Sequence, residues 1–341
     1  VKHRPRRQPQ PRPRHGAALL VAMLVLTLVA TLAAGMVWQQ SRALAVEAAE
    51  RARVQAGWIL TGALDLGRVL LRLDARTPGV DHLNEVWATR LEEASLSSML
   101  AQDRDNNAGA TPEAFLSGSV RDAQSRYNLR NLVDATTLKI VPAELEALTR
   151  LCQTAAVPPE TAQRLAVGLR AAWQADKLGD RADEAPGDDA RDGAGDAPGD
   201  DSGAPLLPHS VEQLAWLGLD AATLQRLRPY VELLPQATPL NINTASPEVL
   251  AGVVPGLDPA SAKRLVDRRP YKALQDAAAV LEAPGALDPQ RLSVGSRYFV
   301  ISGRLRMAGR VIEEQLLVQR NNRQVTALAR WRESAADALP Q

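Results

Sequence analysis

Residues 17–38 read AALLVAMLVLTLVATLAAGMVW, and no charge appears until after Ser41. About 20 apolar residues, rising roughly 1.5 Å each, cross the ~30 Å hydrocarbon core of a bilayer. Residues 17–41 are therefore expected to form a transmembrane helix. A charge at its centre would cost roughly 2.5–3.5 kcal/mol on insertion scales, and the run carries none. Upstream, VKHRPRRQPQPRPRHG (1–16) holds six Lys/Arg and no acid. Its prolines at 5, 9, 11 and 13 forbid a regular helix. The positive-inside rule keeps this leader in the cytoplasm and sends everything after Ser41 across the membrane.

The leader has two readings. One is an ordinary secretory signal, cut after a small-x-small site such as Ala43-Leu44-Ala45. The other is a prepilin-like leader, cut between Gly16 and Ala17, which leaves the apolar run on the mature chain. The run exceeds the 7–15 residues of a signal-peptide core, which favours the second. Prepilin-like proteins usually carry a Glu five residues into the mature chain, and here Val21 holds that place.

Outward from the run, residues 42–74 are rich in the helix formers Ala, Leu, Glu and Arg. Leu44, Ala48, Ala52, Trp58, Leu60 and Leu64 recur near helical spacing. Ala17 to Asp74 is expected to be one helix of roughly 85 Å, its second half laying that stripe against a globular head. The alternative is an anchor and a separate surface helix, broken at Gly57, Gly62 or Gly67 at about 1 kcal/mol each. Thr77-Pro78-Gly79 ends it in a turn.

At the far end, RYFVISGRLRMAGRVIEEQLLVQRNNRQVTALARW (297–331) alternates, with turn residues at Ala308-Gly309 and Asn321-Asn322. It predicts a three-stranded antiparallel meander, one face polar and the other covered by the 42–74 helix. Residues 117–127 are expected to be a short strand or hairpin turning at Asp122-Ala123-Gln124-Ser125. Between these strand regions the chain is helical, with helices starting near Pro142 and Pro159. Residues 179–205 are low-complexity Gly, Ala, Asp and Pro, and are expected to be a disordered insert. Across 176–201, ten Asp/Glu face three Lys/Arg, while the whole chain nets only +1.

Chemistry is sparse. His3, His15, His82 and His209 are scattered, and neither G-x-S-x-G nor H-E-x-x-H occurs, so an enzyme is not expected. The acidic 103–107 loop has no nearby His to make it a hydrolase site. Cys152 is the sole cysteine, which excludes an internal disulfide and Cys-rich zinc sites. The acidic insert lacks the EF-hand spacing. LNINTASPEVLAGVVPGLDPASAKRL (240–265) resembles a helix-hairpin-helix, with Lys263, Arg264, Arg268 and Arg269 as a basic edge. Asp258 stands beside the hairpin, where it would repel a phosphate. A membrane-anchored DNA-binding protein for uptake is the alternative function on that motif.

Gly16 before the apolar run, SRYNLRNL (125–132), LNINTASPEVLAGVVPGL (240–257) and the closing YFVISGRLR strand resemble, in this order, the general secretion pathway protein K family. That family is the large minor pseudopilin of bacterial type II secretion. The resemblance implies an α+β fold: a long N-terminal transmembrane helix continuing into a pilin-like antiparallel sheet domain, with a large inserted all-α domain of helix-hairpin-helix (SAM-like) type. It sets a leader at 1–16, the membrane helix at 17–41, a pilin-like part at 42–132, the helical insert at 133–290, the completing meander at 291–331 and a tail at 332–341. It implies cleavage by prepilin peptidase between Gly16 and Ala17, with Ala17 then open to N-methylation. It further implies a single pass through the inner membrane with the body in the periplasm, minor pseudopilins I and J as partners at the pseudopilus tip, and no nucleic-acid partner. Val21 agrees, since this family is the pseudopilin that lacks the usual Glu. Members bind calcium in the helical domain, and Asp176 and Asp180 are the nearest candidates in this sequence.

Overall fold

The computed structural model describes residues 15–76, 79–100, 113–183, 205–282, 287–307 and 309–333. In chain order the elements are α1 (His15–Asp74), β1 (Leu91–Ser95), α2 (Leu96–Leu100), β2 (Ala114–Asp122), β3 (Tyr127–Asn128), α3 (Pro142–Thr154) and α4 (Glu160–Asp183). They continue with α5 (Ala221–Leu227), β4 (Val231–Glu232), β5 (Leu240–Asn241), α6 (Pro247–Val253), α7 (Pro259–Asp267) and α8 (Leu274–Val280). The last are β6 (Leu292–Ser293), β7 (Tyr298–Met307), β8 (Arg310–Asn321) and β9 (Gln324–Glu333). The chain divides into two compact units, Val1–Ile59 and Leu60–Gln341, and the division falls inside α1.

In the first unit the apolar side chains from Leu19 to Trp38 are all exposed, the arrangement of a helix whose solvent is lipid. Two polar groups in the run are satisfied locally. Thr27 Oγ1 donates to Leu24 O at 2.9 Å and Thr31 Oγ1 to Leu28 O at 2.8 Å. Hydrocarbon offers no outside partner, so these internal bonds make the threonines compatible with it. Arg42, the first charge after the run, lies over the Trp38 ring at 5.6 Å. A Trp and a cation at one level suit the bilayer interface. Within the second unit the expected stripe is covered at Leu60 and Leu64.

The second unit is built on a five-stranded sheet in the order β1-β2-β7-β8-β9, antiparallel throughout. The 298–333 stretch forms the expected meander, because its alternation gives each strand a buried set of side chains. The Leu60–Asp74 part of α1 covers one face. Leu64 and Leu71 pack with Trp87, Val120, Phe299, Ile301, Leu316, Val318 and Val325. The glycines did not break the helix. A Cβ on Gly67 would stand 2.5 Å from Ile301 Cγ2, so the missing side chain lets the helix settle onto β7. Of the turn at 77–79, residues 77–78 lie outside the described residues, as does the acidic 103–107 loop.

Of the strand and hairpin alternatives for 117–127, the strand holds: β2 starts earlier, at Ala114, and ends at Asp122, where a short 3-10 turn at Ala123–Ser125 follows it. Its buried set, Ala114, Leu116, Val120 and Asp122, does alternate, but the last member is an acid and hides the pattern. One expectation is corrected: the meander's second face is not wholly polar. Tyr298, Val300 and Leu317 pack there with Ala123 and Leu234 from the helical segment.

Buried residues drawn from Tyr127 to Leu292 form one contiguous core, with Leu148, Leu151, Leu165, Leu169, Leu250 and Leu265 at its heart. Cys152 lies in it, and burial pushes its thiol up to about 11, so it is an inert apolar group. The helix α4 runs to Asp183, five residues into the segment expected to be disordered; residues 184–204 lie outside the described residues.

On β8, beside the edge strand β9, Glu314 is buried between Arg330 and Arg332; Arg332 Nε and Nη2 donate at 3.0 and 2.6 Å. Burial alone would raise this carboxyl, but the arginine hydrogen bonds outweigh it and hold the group below its ordinary value of 4.5. A lowered folded value stabilises above the unfolded one and is lost as pH falls through it. Glu314→Gln should cost about 1 kcal/mol at neutral pH, since both arginines are half-exposed. The difference in melting temperature from wild type should shrink as pH drops below about 4.5. A gap that widens in acid would contradict this pairing.

Candidate functional site

β2 and β7 are neighbours in the sheet, yet the whole helical segment lies between them in sequence. The chain leaves the sheet after Asp122 and returns at Tyr298, so one end of the sheet carries both crossings. The two motifs that stand out in the sequence meet at this seam.

Asp122, the last residue of β2, is its centre. Its Oδ2 accepts from Asn241 Nδ2 (3.0 Å), Thr244 Oγ1 (2.6 Å) and Ser296 Oγ (2.6 Å), and its Oδ1 accepts from Gln124 N (2.7 Å). Asp122, Asn241, Thr244 and Ser296 are all buried. Burial raises the Asp122 carboxyl against the lowering pull of these hydrogen bonds. Asn241 Nδ2 also donates to Asp81 O at 3.1 Å, and Asn243 Nδ2 to Tyr271 O at 3.0 Å. Gln124 joins both crossings, since its Nε2 donates to Pro239 O and its Oε1 accepts from Arg297 N.

SRYNLRNL serves the same seam. Asn128 Oδ1 accepts from Arg130 N and Leu234 N, while its Nδ2 donates to Gln236 O and Thr238 Oγ1. Asn131 exchanges two bonds with the backbone of Thr238. Short parallel ladders, β3 with β4 and β5 with β6, continue the stapling. An amide side chain donates and accepts at once, which is what a bend in buried backbone needs. Asn241 and Thr244 thus hold the insert to Asp122 of β2, while Asn128 and Asn131 join the start of the insert to its 234–238 stretch.

Below the seam, one oxygen from each of Asp74, Asp81 and Glu85 lies within 4.8 Å of the others. No sequence signal marked these residues, because their spacing matches no ligand motif. They are already engaged. Arg320 donates from Nη1 to Asp74 Oδ2 (2.6 Å) and from Nη2 to Asp81 Oδ1 (2.5 Å). Asp81 Oδ2 accepts from Ser296 N, and Glu85 Oε2 from Trp87 Nε1 and His82 N. Burial and the Glu85 charge raise Asp74, offset in part by Arg320. A guanidinium in the midst of three carboxylates makes this an ion-pair network that welds α1 to β8, not a vacant set of ligands.

The residues singled out in the sequence do not converge. Gly16 and Ala17 belong to the first turn of α1, and Val21 is exposed on it. Asp176 is exposed on α4; the side chain of Asp180, one turn on, lies outside the described residues. Calcium takes six to eight oxygens. Asp176 alone supplies at most two of these, and the acidic residues 184–204 lie outside the described residues.

The hairpin between α6 and α7 also differs from a phosphate cradle. Asp258 caps α7, accepting from Ala260 N (2.9 Å) and Ser261 N (3.0 Å). These are the amides a phosphate would take, and hydrogen bonds from the Ser261 hydroxyl and these amides hold the Asp258 carboxyl below its usual range. Arg269 is largely buried, donates to Ala245 O, and is lowered to about 10 by desolvation. It is a packing residue, not part of a basic edge.

Comparison with known proteins completes the picture. Two family models described as "Type II secretion system (T2SS), protein K" match residues 125–236 and 240–302, together just over half of the 341 residues. The Type II secretion system protein K of Pseudomonas aeruginosa is 29% identical over 314 residues, covering 88% of this chain and 86% of the relative. That of Klebsiella pneumoniae is 28% identical over 322 residues, covering 90% and 93%. A chain in the crystal structure of the GspK-GspI-GspJ complex from the enterotoxigenic Escherichia coli type 2 secretion system superposes with a TM-score of 0.59 at 21% identity. It covers 84% of this chain and 99% of that one, a shared fold.

Proposed function

This chain belongs to the type II secretion system protein K family of minor pseudopilins, and we propose that it caps the tip of the pseudopilus and helps start its assembly with minor pseudopilins I and J. The observation that carries the reading is the helical insert, whose core is larger than the sheet's own, set between neighbouring strands β2 and β7. A subunit bearing such a mass on its sheet is suited to end a fibre. Val21 supports the same reading. In a pilus the fifth-position carboxylate pairs with a neighbour's N-terminal amine, and a pair of that kind is costly to break once buried. A chain with Val21 has no such group to offer.

In this reading prepilin peptidase cuts between Gly16 and Ala17, α1 is retained in the inner membrane, and the body lies in the periplasm. The chain is a structural subunit, not an enzyme. N-terminal sequencing of the mature membrane form tests the first step: a start at Ala17 is expected, and a start near Val46 would overturn it. Co-purification with the two smaller minor pseudopilins tests the assembly. Val21→Glu should leave the chain at the tip and absent from the shaft, if the bulk of the insert is what stops growth. Appearance of the variant along sheared fibres would instead assign the block to the missing carboxylate.

A further inference from the structure

The C-terminal end of α1 and the β8–β9 turn form an open recess of about 450 Å³ lined by Arg72, Arg76 and Arg323. All three are exposed, and none has an ion pair or side-chain hydrogen bond among the described residues. The contrast with their surroundings is sharp. Arg68 is paired with Asp65, and Arg320 takes Asp74 and Asp81. The nearby acids Asp65, Asp74 and Asp81 are thus taken by other arginines, which leaves three converging cations with no acidic partner among the described residues. Like charges gathered in a concave site repel one another unless an anion joins them.

The same helix face shows what accompanies the charge. Leu66, Val69 and Leu73 are 47%, 41% and 46% exposed. At 100° per residue they lie beside Arg72 and Arg76, on the side of α1 opposite buried Leu60, Leu64 and Leu71. A free phosphate would need the arginines alone. An apolar strip ending in three guanidinium forks fits a longer ligand.

We propose that Arg72, Arg76 and Arg323 form a docking site for an acidic, amphipathic segment of another protein, whose carboxylates enter the recess while its apolar side chains lie on Leu66, Val69 and Leu73. The site is separate from the fibre-capping reading, which stands or falls without it.

The test uses the full chain in non-ionic detergent micelles and a fluorescein-labelled peptide, Glu-Leu-Ala-Glu-Leu-Leu-Glu-Ala-Leu-Glu, followed by anisotropy. Wild type should bind it, more weakly as salt rises. The triple variant R72Q/R76Q/R323Q should bind roughly tenfold or more weakly, with an unchanged melting temperature because all three side chains are exposed. L66S/L73S should weaken binding by a smaller factor. The Gln counterpart of the peptide should bind no better to wild type than to the triple variant, and millimolar inorganic phosphate should not displace the acidic peptide. Equal binding by wild type and the triple variant, no binding by wild type, or full displacement by phosphate would each overturn the proposal, the last by showing a simple anion site.

Discussion

Asp122→Ala should destabilise the body of the protein by about 3–5 kcal/mol. The substitution removes the acceptor shared by Asn241 Nδ2, Thr244 Oγ1, Ser296 Oγ and Gln124 N. Asn241 keeps bonds to Asp81 O and Ser296 Oγ, and the hydroxyls can turn, so not every donor is lost. Each buried donor left without a partner costs about 1–3 kcal/mol. Urea unfolding of the full chain in micelles measures the loss, and Asp122→Asn should recover part of it by keeping one acceptor oxygen. Protease cleavage near the 294–297 and 234–242 crossings should speed up, because the insert's own core is untouched while its attachment loosens. A midpoint unchanged from wild type would mean that the seam carries no energy. The pH dependence of this group opposes that of Glu314. Its folded value is raised, so its contribution is complete in acid and declines as pH rises through that value.

Trp87→Ala is expected to cost a similar amount, about 3–5 kcal/mol. Trp87 is 1% exposed and meets Phe299 edge to face, with centroids 5.2 Å apart and planes at 74°. Its Nε1 donates to Glu85 Oε2 at 2.6 Å, so truncation opens a cavity and also frees an acid in a crowded carboxylate cluster. Trp87→Phe should retain most of the packing and lose only the hydrogen bond, at about 1 kcal/mol. If the alanine variant unfolded within 1 kcal/mol of wild type, the cluster of Leu64, Leu71 and Phe299 would have to close over the gap by itself.

The outline of the fold could be read from the chain because its signals are strong and periodic. The apolar run, the alternation in 298–331 and the proline-started helices each fix one element. What escaped reading depends on tertiary company. Gly67 scores as a helix breaker by propensity, yet its value lies in how near it lets α1 come to Ile301. Asp122 looks like a turn residue in a polar stretch, and it is an internal anchor only because Asn241 and Ser296 arrive from far along the chain. Asp74, Asp81 and Glu85 gather for the same reason. The asparagines of both motifs were visible as a resemblance, but nothing in their spacing says that Asn128 meets Thr238 or that Asn241 meets Asp122.

The pairing of Asp122 with Phe299 also constrains the order of events during folding. The β7–β8 and β8–β9 ladders close over tight turns, while the β2–β7 ladder must bring together positions separated by about half of the chain. Closing a free loop of that size is entropically slow. A segment that has already collapsed around its own leucines presents its two ends side by side, and the distance to be searched falls to a few residues. The sheet is therefore expected to acquire its β2–β7 ladder late, after the insert has condensed, with β2 unpaired on that side until then.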